Sequence, residues 1–136
     1  MRITRTNTIL YCAEWADTVA FYRDTIGLES SFENDWFVEF GLTDGSHVSV
    51  ADARRATIEP GAGGGSGLTL SWQVTDLSAQ CARLATLGVD VPSPIRRWGA
   101  STVFIHDPEG NRIELWEPEA VSNSVERIIP PRIRAP

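Results

Sequence analysis

Apolar and polar residues alternate through TNTILYC, and this period of two predicts a strand over residues 6–12 with Leu10 and Cys12 on one face. The period then lengthens. Trp15, Val19 and Tyr22 fall on one stripe of a helix predicted over residues 15–25 and ended by Gly27. Two strands follow, over residues 36–42 and 47–51, joined by a Thr-Asp-Gly-Ser turn that suits a hairpin. After the segment GAGGGSG the pattern restarts with a strand over residues 68–74. A helix comes next, from about residue 76 to 87, with Leu77, Cys81 and Leu84 on one stripe and Gly88 closing it. A short strand at residues 89–91, a Pro-containing connection over 92–94 and a hairpin over 102–116 complete the chain's regular part.

The pattern is therefore written twice, as two β-α-β-β-β modules: the first over about residues 4–53, a linker over about 54–67, and the second over about 68–118. Asn7 aligns with Thr69, Ala20 with Ala82 and Ser49 with Glu114, with Gly27 and Gly88 one residue out of step. This predicts an α+β fold, a curved mixed sheet around a cleft with helices on the convex face. The Gly-rich segment lacks the Lys-Ser/Thr end of a phosphate-binding loop and reads as a flexible connection. Residues 119–136, rich in Pro, show no period and read as a tail.

Strand alternation sorts Leu10, Cys12, Val38, Phe40, Val48, Val50, Leu70, Trp72, Val74, Val103, Ile105, Ile113 and Leu115 to the face that packs on the helices. The other face collects Asn7, Ile9, Tyr11, Phe37, Glu39, His47, Ser49, Thr69, Ser71, Gln73, Phe104, His106, Arg112, Glu114 and Trp116. A generic antiparallel sheet would leave such a face in water. Tyr11, Phe37, Phe104 and Trp116 would then expose a large apolar patch, so a cleft or an interface is expected instead. Glu114, at the middle of the outgoing strand of the last hairpin, is a ligand, a base or an ordinary surface charge; within a cleft the choice is between a carboxylate paired with Arg112 or another cation and a general base whose pKa burial has raised. Arg96, Arg97 and Trp98 fall on a predicted loop, where an Arg can meet an anionic group or stay solvated.

Composition narrows the classes. At 136 residues with 42% hydrophobic content the chain is one domain's worth of material. The net charge of -6, with all twelve basic residues Arg and none in a run longer than two, opposes nucleic acid and anionic membranes as partners. No stretch is long and apolar enough for a membrane span, and the N-terminal segment runs directly into a strand pattern, so the expected location is the cytoplasm. Cys12 and Cys81 match no metal or redox spacing and read as reduced, packed thiols, with a reactive cysteine as the alternative.

The segments AFYRDTIGLE (20–29), VTDLSAQCARLATLGV (74–89) and DPEGNRIELWEP (107–118), set in a duplicated module, resemble the vicinal oxygen chelate superfamily. Glyoxalase I, extradiol dioxygenases and fosfomycin- and bleomycin-resistance proteins belong to it. The resemblance implies metal ligands, commonly His and Glu, from the first and last strands of each half. Carried onto this chain those positions are Asn7, Ser49, Thr69 and Glu114, and only Glu114 matches. One carboxylate with an amide and two hydroxyls is a poor site for a divalent transition metal.

The expectation is a small organic molecule bound without a cofactor, stacked on Trp116, Phe104 and Tyr11 and oriented by Asn7, Gln73 and Glu114. Phe37, His47, Ser49, Thr69 and Arg112 complete the lining, and the acidic balance favours a drug-like cation. The alternatives are a lyase, isomerase or dioxygenase using a divalent metal on Glu114 with His47 or His106, and metal-free acid-base catalysis by Glu114. The resemblance also implies a homodimer.

Overall fold

The computed structural model describes residues 1–56 and 67–119. The first strand, β1 (Thr6–Cys12), leads to helix α1 (Trp15–Ala20), which widens into a π-helical turn over Phe21–Ile26. Gly27 ends it at a φ of 90°, a left-handed conformation that favours glycine. Strands β2 (Ser30–Glu33), β3 (Phe37–Thr43) and β4 (Ser46–Asp52) follow, then a single helical turn, α2 (Ala53–Ala56). The second module holds β5 (Thr69–Gln73), α3 (Leu77–Thr86), β6 (Ile95–Arg97), β7 (Ala100–His106) and β8 (Arg112–Pro118).

Each module builds its own four-stranded mixed sheet. The orders are β1-β4-β3-β2 and β5-β8-β7-β6, with the first and last strand of each module parallel and the remaining pairs antiparallel. The two orders match strand for strand, as a duplicated module requires.

Two local expectations are corrected. Residues 89–91 form no strand; the second strand of the second module is Ile95–Arg97, after the prolines at 92 and 94, which lack the N–H a ladder needs. The first module gains β2, whose SSFE sequence has too little alternation to show as a strand. The predicted linker begins with α2, and its Gly-rich part lies outside the described residues, as does the tail beyond Glu119.

The chain divides into two compact units, Met1–Gly67 with Asp107–Asn111, and Leu68–His106 with Arg112–Pro136. In the first, Leu10, Cys12, Val38, Phe40, Val48 and Val50 bury one sheet face together with Val19 and Tyr22 from the helical segment. In the second, Leu70, Val103, Ile105, Ile113 and Leu115 are buried with Leu77 and Leu84 of α3. Each such aliphatic side chain contributes about 1.5–3 kcal/mol when removed from water. Trp72, sorted to the same face, is only half-buried.

The hairpin tip Asp107–Asn111 belongs to the first unit. Buried Asp107 accepts hydrogen bonds from the Tyr22 hydroxyl at 2.7 Å, the Asn111 side-chain amide at 2.9 Å and the backbone N–H groups of Glu109 and Asn111, both at 2.9 Å. Burial, then the nearby Asp107 charge, pushes the Tyr22 phenol far up, so it stays protonated and donates.

Candidate functional site

Strand pairing sets the polar face of each unit. In the first, Asn7 lies beside His47 and Ile9 beside Ser49 across β1 and β4, while Glu39 lies opposite Ser49 across β3 and β4. The side chains bond as this register allows. The Ser49 hydroxyl donates to the Asn7 carbonyl oxygen at 2.8 Å, and the Asn7 amide donates to Glu39 Oε2 at 3.2 Å. Glu39 Oε1 takes the Arg5 guanidinium at 2.9 Å and the Ser31 hydroxyl at 2.8 Å. The Ser31 hydroxyl first, with Arg5 as ion-pair partner, holds the Glu39 carboxyl below the usual carboxylate range against a smaller opposing effect of burial. His47 is engaged at both nitrogens, with Nε2 at 3.2 Å from the Arg5 guanidinium and Nδ1 at 3.3 Å from the Thr6 carbonyl oxygen.

Next to this network is an aromatic wall. Phe37 and Tyr11 are both in register with Ala51, and Phe37 packs against Phe32 and Trp36 with ring centroids 6.3 and 5.6 Å apart. A groove of about 610 Å³ on the same unit runs between residues 27–31 and 41–44. It meets the polar network only through Ser31.

In the second unit the rows are Thr69 with Arg112 and His106, Ser71 with Glu114 and Phe104, and Gln73 with Trp116 and Thr102. Glu114 is 4% exposed, which removes the reading of an ordinary surface charge. The Ser71 hydroxyl donates to its Oε1 at 2.6 Å. The Arg112 Nε donates to the Thr69 hydroxyl at 2.9 Å, and its guanidinium carbon lies 4.7 Å from the Phe104 ring centroid.

Arg97, placed on a loop by the sequence, belongs to β6 and shares the Glu114 face, while Arg96 points to the other face and pairs with Glu119. Burial pushes the Cys12 thiol up to about 12, which sets aside the reactive-cysteine alternative at this position.

The four positions that the resemblance marks for a metal are thus committed within the chain: Ser49 to Asn7, Arg112 to Thr69 and Ser71 to Glu114. In the first unit these positions supply an amide and a hydroxyl, in the second a hydroxyl and one carboxylate, and neither pair fits a divalent transition metal. The displaced alternative fares no better at His47, whose Nε2 faces a guanidinium. Among the described residues no three His, Cys, Asp or Glu side chains come together as a metal would need.

Sequence reasoning put Glu39 on the right face but missed its centrality. Its module-two counterpart by register is Phe104, since each faces the last-strand position, Ser49 or Glu114. The acid and its hydroxyl partner have changed strands between the modules.

Residues 2–115 match the model of the Glyoxalase/Bleomycin resistance protein/Dioxygenase superfamily. No curated protein matches the chain. Among solved structures, TnmS3, an antibiotic binding protein from Streptomyces sp. CB03234, is similar at 22% identity and a TM-score of 0.69, covering 88% of this chain and 97% of that one. Lactoylglutathione lyase from Agrobacterium tumefaciens is similar at 21% identity and a TM-score of 0.66, with 82% and 91% covered. A glyoxalase/bleomycin resistance protein from the same Streptomyces strain shares 22% identity at a TM-score of 0.64, with 82% and 97% covered. At these identities the likeness carries the fold alone.

Proposed function

The chain belongs to the Glyoxalase/Bleomycin resistance protein/Dioxygenase superfamily, and from that premise we propose that it binds a small organic molecule on its aromatic and polar sheet faces without the superfamily's usual divalent metal. The observation that carries this reading is the donor set. Where relatives by resemblance would offer imidazoles and carboxylates, this chain offers Asn7 and Ser49 in the first unit and Thr69 and Glu114 in the second, each bonded to a neighbouring side chain.

Affinity on this reading comes from rings and oriented polar groups. On the first unit's face Tyr11 and Phe37 would supply apolar surface and Asn7 a polar group; on the second unit's face Phe104 and Trp116 would supply the surface, with Gln73 and Glu114 as orienting groups. Binding alone breaks no bond, so no base is required. The edge strand β2, exposed at each of its four residues and with Phe32 half-exposed, supports a homodimer in which a second copy covers that edge.

Metal analysis of the purified protein tests the reading. The expected result is less than about 0.1 equivalent of zinc, nickel, manganese or iron, unchanged in Glu114→Gln. Near-stoichiometric metal that Glu114→Gln loses would establish instead a Lewis-acid site on Glu114 with His47 or His106.

A further inference from the structure

Two polar atoms on the second unit's face are left unanswered by the fold. Arg97 pairs in register with Ala100, and Thr102 lies between Ile95 and Trp116, so both share the face of Phe104 and Glu114. Arg97 Nε and Thr102 Oγ1 are shielded from solvent, and neither has a hydrogen-bond partner among the described residues. Shielded donors are seldom left this way, because losing water without a replacement costs more than a hydrogen bond returns.

The chemistry of the missing partner follows from the donors. A guanidinium can only donate and is always charged, so the group that completes Arg97 is an acceptor and is best satisfied by an anionic oxygen. A hydroxyl can donate to the same kind of oxygen. Both guanidiniums on this face are held against rings: Arg97 at 4.8 Å from the Trp98 centroid and Arg112 at 4.7 Å from that of Phe104. Trp98 keeps its place at a φ of 51°, a left-handed conformation rare for a bulky residue.

We infer that Arg97 and Thr102 recognise the carboxylate of an aromatic acid whose ring lies on the Trp116 and Phe104 side of the same face. This inference rests on the small-molecule reading above and gives it a ligand class: planar aromatic acids in place of the drug-like cations that the net charge favours. Arg97 would meet that carboxylate at contact distance, whereas most of the chain-wide charge of -6 acts from farther off and is screened beyond a Debye length.

Calorimetric titration of the intact protein with 2-naphthoate, 2-naphthamide and 2-naphthylmethylamine tests it, since the three share a ring system and differ in charge. The carboxylate is expected to bind at least about tenfold tighter than the amide, with the amine weakest. Arg97→Gln should erase that preference, Thr102→Val should weaken 2-naphthoate several-fold, and Arg96→Gln, on the opposite face, should leave it unchanged. Equal affinity for acid and amide, tighter binding of the amine, or a preference that survives Arg97→Gln would overturn the inference. If a variant does not fold, the three-probe comparison on the unaltered protein still decides. Binding of all three probes alike would remove the carboxylate site alone, whereas binding of none would remove the aromatic face with it.

Discussion

At Glu39 a single carboxylate gathers a hydroxyl, an amide and a guanidinium, from Ser31, Asn7 and Arg5. These partners favour the ionised form, so the folded carboxyl titrates lower than the unfolded one. Stability from this group is therefore full above the unfolded carboxylate range and is lost as pH falls through the depressed folded value. Glu39→Gln should lower unfolding free energy at pH 7 by about 1 kcal/mol and flatten the acid limb, as read by urea titrations at pH 7 and below pH 4. An unchanged acid limb would mean that Arg5 and Ser31 do not stabilise the charge in solution. The residue types on each face were legible from alternation alone, as Asn7, Ser49 and Thr69 show. Glu39's role was not, because it depends on which residue of β4 it faces, and register is not written in one strand's sequence.

The helices show how elements are fixed by acids from elsewhere in the chain. The Glu109 carboxylate, on the hairpin tip, accepts the N–H groups of Ala13 and Glu14 at 3.1 and 2.6 Å, just ahead of α1. The Glu117 carboxylate accepts those of Asp76 and Leu77 at 3.1 and 2.9 Å at the start of α3, where the Asp76 side chain also caps the Ala79 N–H. An acid there satisfies amides that the helix cannot and complements its dipole. Glu109→Ala and Glu117→Ala should each cost about 1–2 kcal/mol in urea unfolding, with Glu119→Ala much closer to neutral as an exposed-pair control. Equal, negligible losses in all three would show that these caps do not hold in solution. Helix positions and their closing glycines were readable from the 3.6-residue period, but these caps come from residues 40 to 96 positions away in sequence and leave no local mark. The strand β6 was misplaced for a related reason: Val89–Val91 carries the better propensity, yet only the segment after the prolines pairs with β7.

For the whole molecule, duplication is the feature that the chain announces most clearly, and the matching strand orders of the two sheets bear it out. What duplication does not preserve is the chemistry. Ser49 and Glu114 occupy one position in the two modules, as do Glu39 and Phe104, so each face has its own balance of acid, cation and ring. A superfamily defined by its fold leaves that balance free to change, which is why the sequence names the fold rather than a ligand or a reaction. The most direct measurement is a thermal-shift screen of small aromatic compounds run in parallel with and without chelator. Ligand-induced shifts of equal size in both arms are expected. Shifts that vanish with chelator and return with added zinc, nickel, manganese or iron would contradict a metal-free binding protein.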